Sequence, residues 1–122
     1  TLFPYTTLFR SVDLFNPKVV RATMGSIFRM PFFYAEVLPE IIDSLKNLQI
    51  PVYGCMMKGR IRYDMADYAK GAGIVIGNEA NGISKEVEEH LSDTVAIPMA
   101  GRLESLNAAV AAAVLMYETG RQ

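Results

Sequence analysis

The sequence predicts an α/β domain with a mostly parallel sheet flanked by helices. Two observations carry this. Short runs of β-branched, aromatic and other apolar residues alternate with stretches whose apolar positions recur every three to four residues. The chain has 122 residues, 51% of them hydrophobic, which is enough for one domain with one core.

The elements follow in order. Asn16 is a good N-cap and Pro17 suits the first helical position. Val19, Val20, Thr23, Ile27 and Met30 supply an apolar stripe, so a helix is expected until Pro31 stops it. Phe32 to Ala35 is a short strand. Pro39 to Leu48 is a second helix with Ile41, Ile42, Leu45 and Leu48 on one side. Pro51 leads into a strand, Val52 to Met56, and Lys58 to Tyr68 is irregular. Ile74 to Ile76 is a buried strand. Ser84 then caps a helix that ends near Leu91, with Glu86 at the positive end of its dipole. Thr94 to Ile97 is a strand closed by Pro98. A last, alanine-rich helix is expected from Ser105, as its N-cap, to Thr119, with Leu106, Val110, Val114 and Tyr117 as its apolar positions.

Twelve basic and 13 acidic residues leave a formal charge of -1, so the chain is not a polycation that grips nucleic acid by bulk charge. One cysteine, Cys55, cannot form an internal disulfide, and no metal-ligand cluster is visible. A reducing cytoplasm is the default location. His90, behind Glu88 and Glu89, reads as a helix-end residue rather than a catalyst. No apolar run reaches the roughly 18 residues of a membrane span, and no signal peptide is visible.

Thr1 to Ser11, TLFPYTTLFRS, contains TLF twice and lacks a convincing amphipathic period. It is set aside as adapter-derived, with residues 12–122 as the domain proper. The alternative is a genuine apolar strand and turn.

In such sheets, ligands bind beyond the carboxyl ends of the strands. Two loops lie there. Gly77-Asn78-Glu79-Ala80-Asn81-Gly82 holds two glycines, two asparagines and a carboxylate. In Ile97-Pro98-Met99-Ala100-Gly101-Arg102-Leu103-Glu104-Ser105-Leu106-Asn107, Met99 and Leu103 near a glycine could make an apolar slot, with Ser105 and Asn107 adding directed hydrogen bonds. Taken alone, the first is better read as a turn and the second as a loop with a helix cap.

Taken together they are far more specific. A strand with GNEANGIS, about twenty residues, and then IPMAGRLESLN with an alanine-rich helix resembles the last two signature motifs of the SpoU (TrmH) family. The upstream VDLFNPKVVRATMGSIFRMPF resembles the segment that precedes them in the family's rRNA enzymes. The resemblance covers Val12 to Gln122. It implies the SPOUT α/β knot, with a deep C-terminal trefoil knot and a homodimer. It also implies S-adenosylmethionine-dependent methylation of a ribose 2′-hydroxyl in RNA, most often rRNA. Carried over, Gly77, Ile97, Met99, Ser105 and Leu106 would hold the cofactor. Glu79, Ser105 and Asn107 would form the catalytic surroundings, with Glu79 a brace of the loop or dimer edge and Ser105 and Asn107 ordering the substrate end. Ala80 and Ala109 depart from the usual pattern.

The family's first motif, with its asparagine and substrate-activating arginine, should lie upstream of Val12. The expectation is therefore a chain that binds cofactor weakly and catalyses poorly or not at all. The other reading is a non-catalytic RNA-binding or dimerisation module. Lys18, Arg21 and Arg29, on one side of the first expected helix, are the candidate RNA contacts. Lys58, Arg60 and Arg62 form a second basic cluster; either cluster suits RNA phosphates, and equally a solvated face balanced by the acids.

Overall fold

The computed structural model describes residues 6–8, 15–24, 26, 29–78, 81–99 and 107–122. The chain divides into two compact units, Thr1–Leu38 and Pro39–Gln122.

In the first unit, strand β1 (Thr6–Leu8) pairs in parallel with β2 (Phe32–Tyr34), Thr6 opposite Phe32 and Leu8 opposite Tyr34. β1 falls inside the segment that the sequence reading left out of the fold. The helix between them, α1, covers only Pro17–Ala22. Asn16 starts it as expected, its side chain accepting from the Lys18 amide at 2.9 Å. It does not reach Pro31, because Met24 takes a left-handed conformation at φ +53°. The sequence there is Thr-Met-Gly-Ser, three of whose four residues are poor helix formers. Packing within this unit includes the rings of Phe15 and Phe32, 5.8 Å apart.

The second unit opens with α2 (Leu38–Asn47), which buries Pro39 and Ile42. Leu48, expected on the same stripe, is exposed because the helix has already ended. Gln49 at φ +64° closes it, with the Ile50 amide donating to the Leu45 carbonyl and the Gln49 amide to the Lys46 carbonyl. The sheet then comprises β3 (Val52–Cys55), β4 (Ile61–Arg62), β5 (Gly73–Ile76) and β6 (Asp93–Ala96). Its order is β4-β6-β3-β5 and every neighbouring pair is parallel. The four expected strands that lie within the described residues are thus present, each within one residue of its expected start. β4 is additional: two residues are too short for a period to show. Helix α3 (Lys85–His90) has Ser84 as its cap, as expected, accepting from the Val87 amide at 3.2 Å.

The sheet has two packed faces, set by the two-residue period of its strands. Tyr53 and Val95 point to one side, where they join Ala66, Tyr68 and Leu115 in the core, with Cys55, Ile61, Ile74, Ile76 and Ile97 around them. On the other side Gly54 lies against Leu91 and Ile83, and a side chain there would strike both. Tyr68 meets Tyr53 edge-on at 5.3 Å and donates its hydroxyl to the Tyr63 carbonyl. Burial pushes its phenol up to about 12.

Helix α4 (Ala108–Arg121) covers the Tyr53 face through Ala111 and Leu115. This overturns the expected stripe. Val110 is 48% exposed and Tyr117 76%, whereas Leu115 is fully buried. Glu118 is the one charged side chain buried among the described residues, paired with Arg121 at 2.6 Å and bonded by Gln122. That pairing holds its carboxyl below the usual range. A lowered folded pKa gives stability above the unfolded value that disappears as pH falls through the folded one. The urea midpoint should therefore drop from roughly pH 4.3 downward, the ordinary glutamate pKa. Glu118→Gln should flatten that part of the profile.

Candidate functional site

All four strands of the second unit are parallel, so their carboxyl ends share one edge. The register makes this explicit: Cys55 lies opposite Ile76 on one side and opposite Val95 on the other. The two expected loops therefore leave the sheet on either side of β3. Gly77 and Asn78 follow β5, and Ile97, Pro98 and Met99 follow β6. Met56, next to Cys55, emerges between them, its amide held by the Val95 carbonyl at 2.9 Å.

The first loop is a closed turn. Asn78 and Gly82 form an antiparallel bridge, with the Gly82 amide donating to the Asn78 carbonyl at 2.7 Å. The Asn81 amide donates to the Asn78 side chain at 3.3 Å. The two glycines serve different ends. Gly82 has φ +66°, a conformation that disfavours any side chain, and open space where a Cβ would stand. A Cβ on Gly77 would lie 2.5 Å from the Gly82 carbonyl carbon and 2.7 Å from the Ile83 amide nitrogen. Gly77 is thus required first by the loop's own backbone. Glu79 and Ala80 lie outside the described residues.

In the second loop, Ile97 and Met99 are half-buried and Ile97 packs against the core, so both are available as walls of an apolar slot. Residues 100–106, including Leu103, Ser105 and Leu106, lie outside the described residues. The loop ends at Asn107, and here a correction is needed. Asn107, not Ser105, is the N-cap of α4. Its Oδ1 accepts from the amides of Ala109 at 2.8 Å and Val110 at 3.4 Å. Its carboxamide oxygen therefore fixes the start of the helix. Asn107→Ala should cost about 1 kcal/mol, read as a shift in the urea midpoint.

Cys55 was read from sequence as the lone cysteine and Met56 as a strand end, and neither was placed at this edge, because an apolar strand end carries no signal of what flanks it. Burial pushes the Cys55 thiol up, which keeps it protonated and a poor nucleophile. His90 sits at the other end of the sheet, where α3 returns to the start of β6. There its Nδ1 meets the Asp43 carboxylate at 2.9 Å, and its carbonyl accepts from Lys46 at 2.8 Å. It is a helix-end residue, as expected, and is remote from the carboxyl edge. Among the described residues no group of histidine, cysteine and carboxylate side chains could hold a metal ion, and no helix is long and apolar enough to cross a membrane.

Lys18, Arg21 and Arg29 are all exposed. Lys18 and Arg21 share a face of α1, three residues apart. Arg29 does not, since α1 has ended seven residues earlier, at Ala22.

Half-buried Ile97 and Met99 put apolar surface beside the strand-end backbone groups of this edge, which suits a flat, mostly neutral ring system. Comparison with known proteins gives that edge a context. The sequence profile of the SpoU rRNA Methylase family matches residues 5–117. The chain is 34% identical over 107 residues to the 23S rRNA (guanosine(2553)-2′-O)-methyltransferase RlmP of Bacillus subtilis, covering 88% of this chain and 43% of that protein. The solved SpoU methyltransferase AviRb of Streptomyces viridochromogenes, in complex with AdoMet, superposes with a TM-score of 0.87 at 31% identity, over 97% of this chain and 49% of that one. An AdoMet-bound rRNA methyltransferase of Sinorhizobium meliloti gives 0.81 at 30% identity, over 94% and 44%. The chain spans less than half the length of each of these relatives.

Proposed function

This chain belongs to the SpoU rRNA methylase family, and on that premise we propose that it is catalytic-domain sequence of an RNA ribose 2′-O-methyltransferase acting on rRNA in the cytoplasm. The observation that carries the reading is the shared sheet edge, where the loops after β5 and β6 flank the end of β3. The residues there suit S-adenosylmethionine: half-buried apolar walls at Ile97 and Met99 for the adenine, and backbone groups beside them for its edges and the ribose. Gly77, Ser105 and Leu106 complete this proposed cofactor set.

When bound, the cofactor supplies an electrophilic methyl group on a sulfonium. The chain's own part is to orient it, exclude water, align the ribose oxygen and place an acceptor for the hydroxyl proton. Ser105 and Asn107 are assigned to ordering the substrate end, Asn107 by fixing the start of α4. Glu79 is assigned to bracing the loop. Lys18 and Arg21, with Arg29 beyond their helix, are assigned to RNA phosphates.

Calorimetric titration with S-adenosylmethionine tests the reading, followed by transfer of labelled methyl groups to rRNA. Binding followed by 2′-O-methylation supports it. No binding, by this chain or by a version extended upstream, would sink it. The second reading, a non-catalytic RNA-binding or dimerisation module, predicts RNA binding or self-association without methyl transfer.

A homodimer is part of the proposal. α4 leaves Val110 and Tyr117 exposed on one face and Met116 exposed on another. A groove of about 550 Å³ beside Tyr117 is lined by Ala113 and Val114 and also by Tyr63, Asp64, Glu118 and Arg121. Sedimentation should show a dimer, and Met116→Glu with Tyr117→Glu should shift it towards monomer.

A further inference from the structure

We propose that Lys58 and Arg62 form a phosphate-binding rim beside the candidate cofactor loops, on which the backbone of a single-stranded RNA substrate rests. The proposal builds on the methyltransferase reading and adds a substrate-binding surface to it.

Placement is the first argument. β4 begins late along its neighbour: Ile61 lies opposite Val95 and Arg62 opposite Ala96, the residue before Ile97. Gly59 is pressed so closely onto β6 that a Cβ would come within 2.3 Å of the Val95 carbonyl carbon. The Arg60 amide donates to Thr94 Oγ1 at 2.9 Å. Arg62 is thus level with Ala96 at the carboxyl end of β6, while the Arg60 guanidinium turns back to Asp93, the first residue of that strand.

Direction is the second. Around Ile61, which packs on the core, Arg60 and Arg62 alternate outward, with guanidinium-bearing side chains 72% and 60% exposed. Lys58 is exposed as well. Lys58, in the turn that the Gly59 amide closes on the Met56 carbonyl just past β3, and Arg62, opposite Ala96, therefore place two cations at this edge.

The third is preorganisation. Asp93 holds Arg60 through Nε at 2.9 Å and through Nη2, and Asp64 meets Arg62 Nε at 2.9 Å. These carboxylates offset part of the positive field. The Asp93 carboxylate hydrogen-bonds the Arg60 fork, whereas Asp64 draws Arg62 by charge alone; a guanidinium has five N–H donors, and neither pairing uses them all. Phosphate oxygens are acceptors that the remaining donors of Arg62 match, and the planar geometry favours Arg over Lys there.

The test uses the double variant K58Q/R62Q, which leaves the Arg60–Asp93 bridge between β4 and β6 intact. Fluorescence anisotropy with a labelled, mixed-sequence oligoribonucleotide is read across a salt series, with S-adenosylmethionine calorimetry alongside. The expected result is unchanged cofactor affinity, weaker RNA binding, and a salt slope shallower by about 1.4, the value for two lost contacts on a single strand. A wild-type slope and affinity in K58Q/R62Q would overturn the proposal, as would the entire loss appearing in K18Q/R21Q instead. If the unaltered chain binds RNA but not cofactor, the methyltransferase reading fails while the slope still judges the rim. If it binds neither, both fall.

Discussion

Gly77→Ala is expected to weaken S-adenosylmethionine binding by about tenfold or more and to lower the thermal midpoint. The added methyl would meet backbone at 2.5 to 2.9 Å, from Gly82 and Ile83, and not the end of a side chain that can swing away. The loop must therefore open or β5 must shift. Overpacking of this kind typically costs about 1–3 kcal/mol, and 1.4 kcal/mol is tenfold in affinity. Gly82→Ala in the same loop is the control. It meets no atom within 4 Å and bears only the strain of its left-handed backbone, about 1–2 kcal/mol. Gly82→Asn should recover part of that, because asparagine tolerates the conformation, whereas Gly77→Asn should be worse than Gly77→Ala. Differential scanning calorimetry and cofactor titration on the four variants decide the matter. A recovery at Gly77→Asn, or a further loss at Gly82→Asn, would contradict it.

Leu115→Ala should be the most destabilising of the substitutions considered. Leu115 is fully buried against Tyr53, Tyr68 and Val95, where α4 seats on the sheet. Deleting a buried leucine side chain typically costs about 2–5 kcal/mol, against a total domain stability of about 5–15 kcal/mol. The thermal midpoint should fall by roughly 10 °C or more. Cofactor binding should weaken too, because α4 starts from Asn107 at the end of the second loop. Leu48→Ala makes the same chemical change at a position 70% exposed and should stay within about 0.5 kcal/mol. Urea titrations of both read the difference directly.

Much of the framework was legible from residue order. Ser84 and Asn16 announced their helices, because a capping side chain is a local device that needs only its own next few amides. β3 and β5 stood out because their runs are nearly continuously apolar, and β6 because Thr94 to Ile97 is a short run closed by Pro98. The two loops became a candidate site only as a pair, through their spacing and resemblance. β4 was invisible, being two residues held in place by Gly59 and Thr94 contacts from a strand more than thirty residues away. The end of α1 at Ala22 was misjudged because an apolar stripe continues past it, while backbone propensity at Thr23 to Ser26 does not.

By itself, then, the sequence determined the alternation of elements, most helix starts and the identity of the two loops, all of which depend on neighbours along the chain. The tertiary structure decided three other things. It chose which side of α4 is buried: alanine, valine, leucine and methionine surround that helix, so the period alone could not say which face the sheet would take, and Leu115 rather than Val110 was covered. It showed why Gly59 and Gly77 are glycine, since a missing side chain signals either freedom of φ or lack of space, and only the opposing backbone separates the two. And it brought Arg62 level with Ala96, beside Ile97, because strand order and register depend on which apolar faces meet across the sheet.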